Sequence, residues 1–143
     1  MKYICYFLFF SLTVVGQTTD SETESQETVG FQIIENVPVF PGCEQLPMNE
    51  RRQCFNEKIQ EHIIKNFNYP RKAVKNKIQG KVFVIFIIEK DGTISVDKVR
   101  GPDPILEEEA KRIILLLPQM TPGYFKEDPV RVMMSIPISF SLY

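Results

Sequence analysis

The stretch that decides the fold is GKVFVIFIIEKDGTIS, residues 80–95. Apolar residues run without a break from Val82 to Ile88, and the Asp91-Gly92 pair that follows is typical of a hairpin turn. A strand that is apolar on both sides is typical of the centre of a sheet. We therefore expect a central strand whose second face needs a cover. That second face is formed by Phe83, Ile85 and Ile87.

The hairpin loop has two possible registers, which differ in the residues that Ile94 and Val96 face. A two-residue loop places them opposite the set that contains Phe83. A three-residue loop, with Gly92 in a left-handed bulge, places them opposite the other set. The sequence alone is compatible with both registers. The other set is Val82, Val84, Phe86 and Ile88.

A helical pattern precedes the hairpin. Asn49 is suited to cap a helix from Glu50 to about Phe67. Its apolar residues fall on one stripe, as expected of a helix packed on a core. The Tyr69-Pro70 pair interrupts the pattern, because the residue before proline is disfavoured in helical conformation. A shorter helical segment, 71–77, follows. The stripe consists of Phe55, Ile59 and Ile63.

A second main helix follows the hairpin. Asp103 is a capping residue and Pro104 is preorganised for the first helical position, and Pro118 ends the pattern. We interpret the acidic run 107–109 as a solvated helix start that complements the helix dipole. The buried stripe is Leu106, Ala110, Ile113, Ile114 and Leu117.

The last segment, VRVMMSIPISFSLY at 130–143, alternates strictly between apolar residues and the rest. This pattern predicts a long strand with one buried face. Pro137 lies in the other set, and a proline cannot donate to a ladder, so the strand is expected at a sheet edge. The predicted fold class is α+β, a three-stranded antiparallel sheet with two main helices on one face, in the order helix, strand, strand, helix, strand.

The beginning of the chain predicts export. Residues 1–16 have a short basic start and an apolar run of signal-peptide length, which favours cleavage over the alternative of an uncleaved inner-membrane anchor. Residues 17–30 are Ser, Thr and Glu-rich, which predicts a disordered leader. We divide the remainder into an apolar extension, 31–48, and a domain, 49–143. The apolar extension is the candidate cover for Phe83, Ile85 and Ile87.

Composition narrows the chemistry. With 17 basic and 18 acidic residues, the chain has no excess positive charge with which to bind nucleic acid. In an oxidising compartment Cys43 and Cys54 favour a disulfide over free thiols. His62 is the only histidine, so a zinc site would lack a ligand. No nucleophile and base occur together, and we expect neither catalysis nor a cofactor.

Several spaced motifs resemble the TonB C-terminal domain. They lie between about Tyr69 and Leu142, roughly half of the chain. The chain is most similar to exported, anchorless Bacteroidetes-type relatives with an FPGC segment and a second cysteine. The motifs are Tyr69-Pro70, Ala73, IQGKV at 78–82, the alternation Val84, Phe86 and Ile88, Asp91-Gly92, Val99, Gly101, ILEEEAKRI at 105–113, Pro118, Pro122-Gly123, and VRV leading to IPISF at 130–140.

The resemblance implies the three-residue hairpin loop and a periplasmic location. It also implies that an N-terminal segment of a TonB-dependent outer-membrane transporter adds as a strand beside the last strand of the domain, residues 130–140. Asn68 stands where the family often has glutamine, which is a departure at a receptor contact. Carried over to this chain, the partner-binding residues are Asn68, Tyr69, Pro70, Arg131, Met133, Ser135, Pro137 and Ser139.

Two alternatives concern the role of the domain. Family members that transmit energy have a spanning helix that meets ExbB and ExbD and a long Pro-rich arm, and we expect neither here. The chain is thus expected to bind a transporter, with any link to an ExbB/ExbD-type complex being indirect. The other alternative is a periplasmic scaffold or homodimer that pairs through the same edge strand.

Overall fold

The computed structural model describes residues 27–143. The predicted signal peptide, 1–16, and most of the predicted leader lie outside the described residues. Within the described part, five strands and three helices form one α+β unit. In chain order the elements are β1 (Thr28–Gly30), α1 (Met48–Asn66), α2 (Arg71–Lys75), β2 (Gly80–Ile88), β3 (Ile94–Arg100), α3 (Pro104–Leu115), β4 (Gly123–Phe125) and β5 (Asp128–Phe140).

The sheet has the order β1-β5-β2-β3, and β4 pairs with β5. The predicted class and the predicted central position of β2 are confirmed, since β2 is antiparallel to both β3 and β5. The strand count differs from the prediction, because two short strands, β1 and β4, pair with the first half of β5. β1 lies inside the stretch that composition assigned to a disordered leader.

The hairpin adopts the three-residue loop. Ile94 lies opposite Ile88, and Val96 lies opposite Phe86. Gly92 has φ +83°, as the left-handed position of this loop requires. A bulge between Ile85 and Phe86 shifts the rest of β3 by one residue, so that Lys98 rather than Asp97 lies opposite Ile85.

The core lies on one side of the sheet, under α1 and α3. The alternation of β2 and β5 predicts which side chains enter it, and those of the main apolar sets are buried, except for Met134 and Leu142, which are partly exposed. The two helical stripes are buried as well, which confirms both helices. The fully buried large side chains are Phe55, Phe86, Phe140, Ile59, Ile88, Leu106, Ile113, Ile114, Ile138, Val82, Val84 and Val132.

The apolar extension packs on the helix side of the sheet. Phe31 stacks on Phe55 of α1 with ring centroids 4.8 Å apart, and both belong to the main core. Arg52 of α1 donates to the carbonyl oxygens of Phe31 and Ile34 at 2.5 and 2.6 Å. The prediction that this extension covers the second face of β2 is therefore wrong. On that face Phe83 is 49% exposed and Ile85 is partly buried, whereas Ile87 is buried outside the main core cluster.

The disulfide is confirmed. Cys43 and Cys54 are bonded, and their Cα atoms are 6.1 Å apart. The bond joins the apolar extension to the first half of α1. It therefore holds the extension against the helix side of the core, close to the stacked pair of Phe31 and Phe55.

Some helix ends differ from the predicted ones. α1 begins at Met48 after Pro47 and has no side-chain cap, so Asn49 does not cap it. α2 ends at Lys75, two residues early, and Lys77 takes φ +52° in the turn before β2. The cap at Asp103 is confirmed, because its carboxylate accepts the Ile105 N–H at 2.8 Å.

The acidic run of α3 is not simply solvated. Glu108 is exposed, but Glu107 accepts the backbone N–H of Gly101 at 2.8 Å. Glu109 is only 8% exposed and accepts the backbone N–H of Asn68 at 3.0 Å. It also binds the Arg112 guanidinium at 2.6 and 2.8 Å, which raises the pKa of Arg112. These contacts connect α3 to the backbone at Gly101 and at Asn68.

Candidate partner-binding edge

The first half of β5 pairs with two short strands of the chain. β4 pairs with β5 from Asp128 to Val130, and β1 pairs with it in parallel from Arg131 to Met133. On the side opposite β1, β5 pairs with β2 from Val132 to Phe140. Among residues 27–143, no strand pairs with the outer side of Ser135–Ser139. We call this stretch the open edge.

The direction of the backbone groups in the open edge follows from one hydrogen bond. Phe31 N–H donates to the Met133 carbonyl oxygen at 3.1 Å, so the groups of Met133 point away from β2. Backbone groups alternate in direction along a strand of an antiparallel pair. The N–H and C=O of Ser135 and Ser139, and the C=O of Pro137, therefore also point outward.

Pro137 is compatible with this geometry. Its position lacks an N–H on the outward side only, so the ladder with β2 loses nothing there. A proline in this place weakens, but does not abolish, the capacity of the edge to pair, since three outward carbonyls and two outward N–H groups remain. The edge position predicted from Pro137 is thus explained by the direction of its backbone.

A groove lies on the helix side of the open edge. It has a volume of about 410 Å³ and runs between the end of α1 and β5. Ile64 stands at this groove and is 75% exposed, although it is a large aliphatic residue. The residues that line the groove are Gln60, Ile63, Ile64, Phe67, Pro137, Ile138 and Ser139.

The opposite face of the sheet is mixed. Phe83 lies beside Pro137, and both are exposed. Glu89, directly after β2, and Arg131 of β5 form an ion pair with a 2.8 Å contact. The Arg131 hydrogen bond, assisted by one from Ser95, holds the pKa of Glu89 below its usual value, and Glu89 raises the pKa of Arg131.

The predicted partner-binding residues of β5 fall into two groups. Ser135, Pro137 and Ser139 lie on the open edge. Arg131 and Met133 lie where β1 already pairs with β5, and Arg131 also donates to the Thr28 hydroxyl at 3.1 Å.

The Asn68-Tyr69-Pro70 segment lies near the far end of β5. The Tyr69 ring packs on Phe140 with centroids 5.6 Å apart, and its hydroxyl donates to the Ile78 carbonyl at 2.7 Å. The backbone N–H of Asn68 is bound by Glu109. These contacts hold the segment in place, so the structure gives Tyr69 a packing role and leaves the Asn68 side chain exposed.

The sheet has a second free edge, which sequence reasoning did not identify. Within the described part of the chain, β3 pairs only with β2. Its outer side carries the bulge at Asp97 and two exposed cations, Lys98 and Arg100. Bulges and charged side chains are typical of edges protected against pairing. The open edge carries one such device, Pro137, and no charged side chain between Ser135 and Ser139.

Other kinds of site find no support in residues 27–143. They contain no group of three or more His, Cys, Asp or Glu side chains placed to hold a metal ion. The same residues include no helix that is both long and apolar enough to cross a membrane. The lone histidine, His62, contacts the Ile113 carbonyl at 2.8 Å through Nε2, and this contact connects α1 with α3.

Comparison with known protein families identifies the domain. The family described as Gram-negative bacterial TonB protein C-terminal matches residues 65–142, more than half of the chain. The chain belongs to the TonB C-terminal domain family. Members of this family are non-catalytic interaction domains, generally periplasmic, that are linked to TonB-type transport and generally interact with outer-membrane transporters.

Two solution structures of the Helicobacter pylori TonB C-terminal domain are similar to the chain. The longer one is 27% identical, with 70% of this chain and 87% of that chain covered and a TM-score of 0.46. The shorter one is 31% identical, with 61% and 92% covered and a TM-score of 0.38. No curated protein matches the chain.

Proposed function

We propose that the protein is a periplasmic TonB-like adaptor that binds a segment of a TonB-dependent outer-membrane transporter by strand addition. The incoming segment pairs with the open edge, Ser135–Ser139. Residues 1–16 direct the chain to the periplasm as a signal peptide and are cleaved on export. The observation that carries the proposal is the row of outward backbone groups on β5 between Met133 and Phe140.

Strand addition suits this edge for a physical reason. Unpaired backbone groups in an extended row form a template for another extended chain, and main-chain hydrogen bonds supply affinity without demanding a particular sequence. Each such bond contributes about 1 kcal/mol net. The open edge offers up to five of them, which is consistent with a complex of weak or moderate affinity.

The position of β1 narrows the binding site relative to the sequence prediction. Arg131 and Met133 were assigned to the pairing strand, but their outward groups face β1. In this proposal they take no part in partner pairing while β1 is in place. Ser135, Pro137 and Ser139 remain the contact residues, with Asn68, Tyr69 and Pro70 near the far end of the edge.

Site-specific crosslinking in cells tests the proposal. A cysteine introduced at Ser135 carries a short thiol-reactive photocrosslinker, and captured proteins are identified by mass spectrometry. The matched control carries the same group at Lys98, on the outer side of β3. Capture of a transporter from position 135 and not from position 98 supports the proposal. Equal capture from both edges, or capture from position 98 alone, would contradict it.

Self-association is tested on the same protein. The alternative role, a scaffold or homodimer, uses the same edge. Sedimentation velocity at micromolar concentration is expected to show a monomer. A stable dimer that a Ser135→Pro substitution converts to a monomer would replace the proposed function with the dimer.

A further inference from the structure

The groove beside the open edge exposes a large aliphatic side chain. Ile64 leaves most of its side chain in water, although neighbouring Ile63 is buried in the core. We infer that this groove is a side-chain subsite for the incoming strand, and that it selects a segment with an apolar residue at an alternate position. The inference rests on the proposed strand addition and names the chemistry of the partner segment.

The chain's own β1 shows how an added strand uses this side of β5. β1 pairs along the same edge, and Val29, opposite Val132, packs its side chain against the core. Phe31, two residues later, lies under α1 against Phe55. Two alternate apolar residues thus fill the space between β5 and the first half of α1. The groove is the continuation of that space along the second half of the helix.

Strand alternation defines which partner residues enter the groove. Side chains of directly paired residues lie on the same face of a sheet. Ile136 and Ile138 point to the helix side, where both are buried. A partner residue opposite either of them therefore points to the same side, toward Ile64 and Phe67. Partner residues opposite Ser135, Pro137 and Ser139 point to the other face of the sheet, away from Ile64 and Phe67.

The groove fits one or two aliphatic side chains rather than a charged one. Five of its seven lining residues are apolar, the other two are Gln60 and Ser139, and no charged side chain lines it. Burial of one valine or leucine stabilises a complex by about 1.5 to 3 kcal/mol, which is at least tenfold in affinity. The occupant is thus an extended segment of another protein with an aliphatic residue at every second position.

Two synthetic heptapeptides test the inference on the purified, disulfide-bonded chain. One alternates Thr and Val, and in the other every Val is replaced by its isostere Thr. Affinity is measured by NMR titration of the Ser135 and Ser139 amides. We expect the Val peptide to bind at least tenfold more tightly. The Ile64→Glu variant should reduce this ratio to about one, whereas Leu115→Glu should keep it.

Leu115 is a suitable control because it is also a helical, half-exposed aliphatic residue, 51% exposed, and it lies on α3. Both substitutions introduce the same charge at a solvent-accessible helix position, so both variants are expected to fold. Heteronuclear spectra of the two variants verify this before the titrations.

A third peptide separates the groove from the strand addition. It carries the Val side chains but has N-methyl groups on alternate backbone amides, which removes its donors to the edge. If the Val and Thr peptides bind equally and N-methylation abolishes both, the edge is used and the groove inference is overturned. If N-methylation has no effect, or if neither peptide binds, strand addition fails and the groove inference fails with it.

Discussion

The backbone N–H of Phe31 donates a 3.1 Å hydrogen bond to the carbonyl oxygen of Met133, and there the chain's own strand leaves the edge of β5. Phe31 then turns under α1, where its ring stacks on Phe55. On the outer side of β5, β1 pairs with Arg131–Met133, up to this bond. The stretch after it, Ser135–Ser139, is open to a partner.

The two faces of β2 are expected to differ in their contribution to stability. Phe86 is fully buried, and Phe86→Ala should lower the free energy of unfolding by about 3 to 5 kcal/mol. Phe83 on the other face is half-exposed, and Phe83→Ala should cost about 1 kcal/mol. Urea unfolding of the two variants measures both. Equal losses would show that a cover shields Phe83 in solution.

The disulfide is expected to stabilise the attachment of the apolar extension. Replacement of Cys43 and Cys54 by alanine should lower the free energy of unfolding by about 2 to 3 kcal/mol, because the bond closes a short loop. Reduction of the unmodified protein should have a similar effect. Thermal unfolding of the oxidised and reduced forms provides the measurement, and identical curves would refute this role.

Gly92 is expected to be intolerant of any side chain. A Cβ atom there would lie 1.6 Å from the Met120 carbonyl oxygen, and the backbone has φ +83°. Gly92→Ala should therefore cost about 2 to 3 kcal/mol through displacement of the hairpin loop. Gly30→Ala is the control, since its nearest contact is 3.9 Å away. Denaturant unfolding that ranks the two variants equally would contradict the expectation.

The ion pair between Glu89 and Arg131 is expected to make stability depend on pH. Because the pKa of Glu89 is lowered in the folded chain, the contribution is complete above the ordinary value of 4.5 and is lost as the pH falls through the folded value. Glu89→Gln should cost less than about 1 kcal/mol at pH 7, since the pair is near the surface.

The pH profile separates this pair from the other carboxylates. The difference in unfolding free energy between the unmodified chain and Glu89→Gln should shrink below pH 4.5, and salt should reduce it at pH 7. A difference that grows on acidification would show that the pair does not lower the pKa of Glu89.

Periodic patterns in the sequence predict most of the domain. The alternation in β5, the stripes of α1 and α3 and the turn at Asp91-Gly92 all reflect burial against one core, so each could be read without the structure. The open edge around Pro137 follows in the same way, because its missing N–H disfavours a second strand there, but the prediction of an edge strand is wrong for Arg131–Met133, where β5 lies between β1 and β2. The open edge is thus within reach of sequence reasoning.

The remaining features depend on contacts between distant segments. β1 pairs through backbone groups that every residue has, so its polar surroundings do not reveal it. Val29 and Phe31, two residues apart, are the only hint of its inward side. Glu109 meets the N–H of Asn68 across 41 positions, and nothing local distinguishes it from the exposed Glu108. The apolar extension was assigned to the wrong face of β2, because both faces are apolar.

Amide hydrogen exchange of the free chain and of its complex tests the open edge most directly. The outward N–H groups of Ser135 and Ser139 should exchange rapidly in the free monomer, whereas those of Ile136 and Ile138, which point to β2, should be protected. A transporter segment that binds by strand addition should slow exchange at Ser135 and Ser139. Protection of both serine amides in the free monomer would contradict the account, because the edge would already be closed.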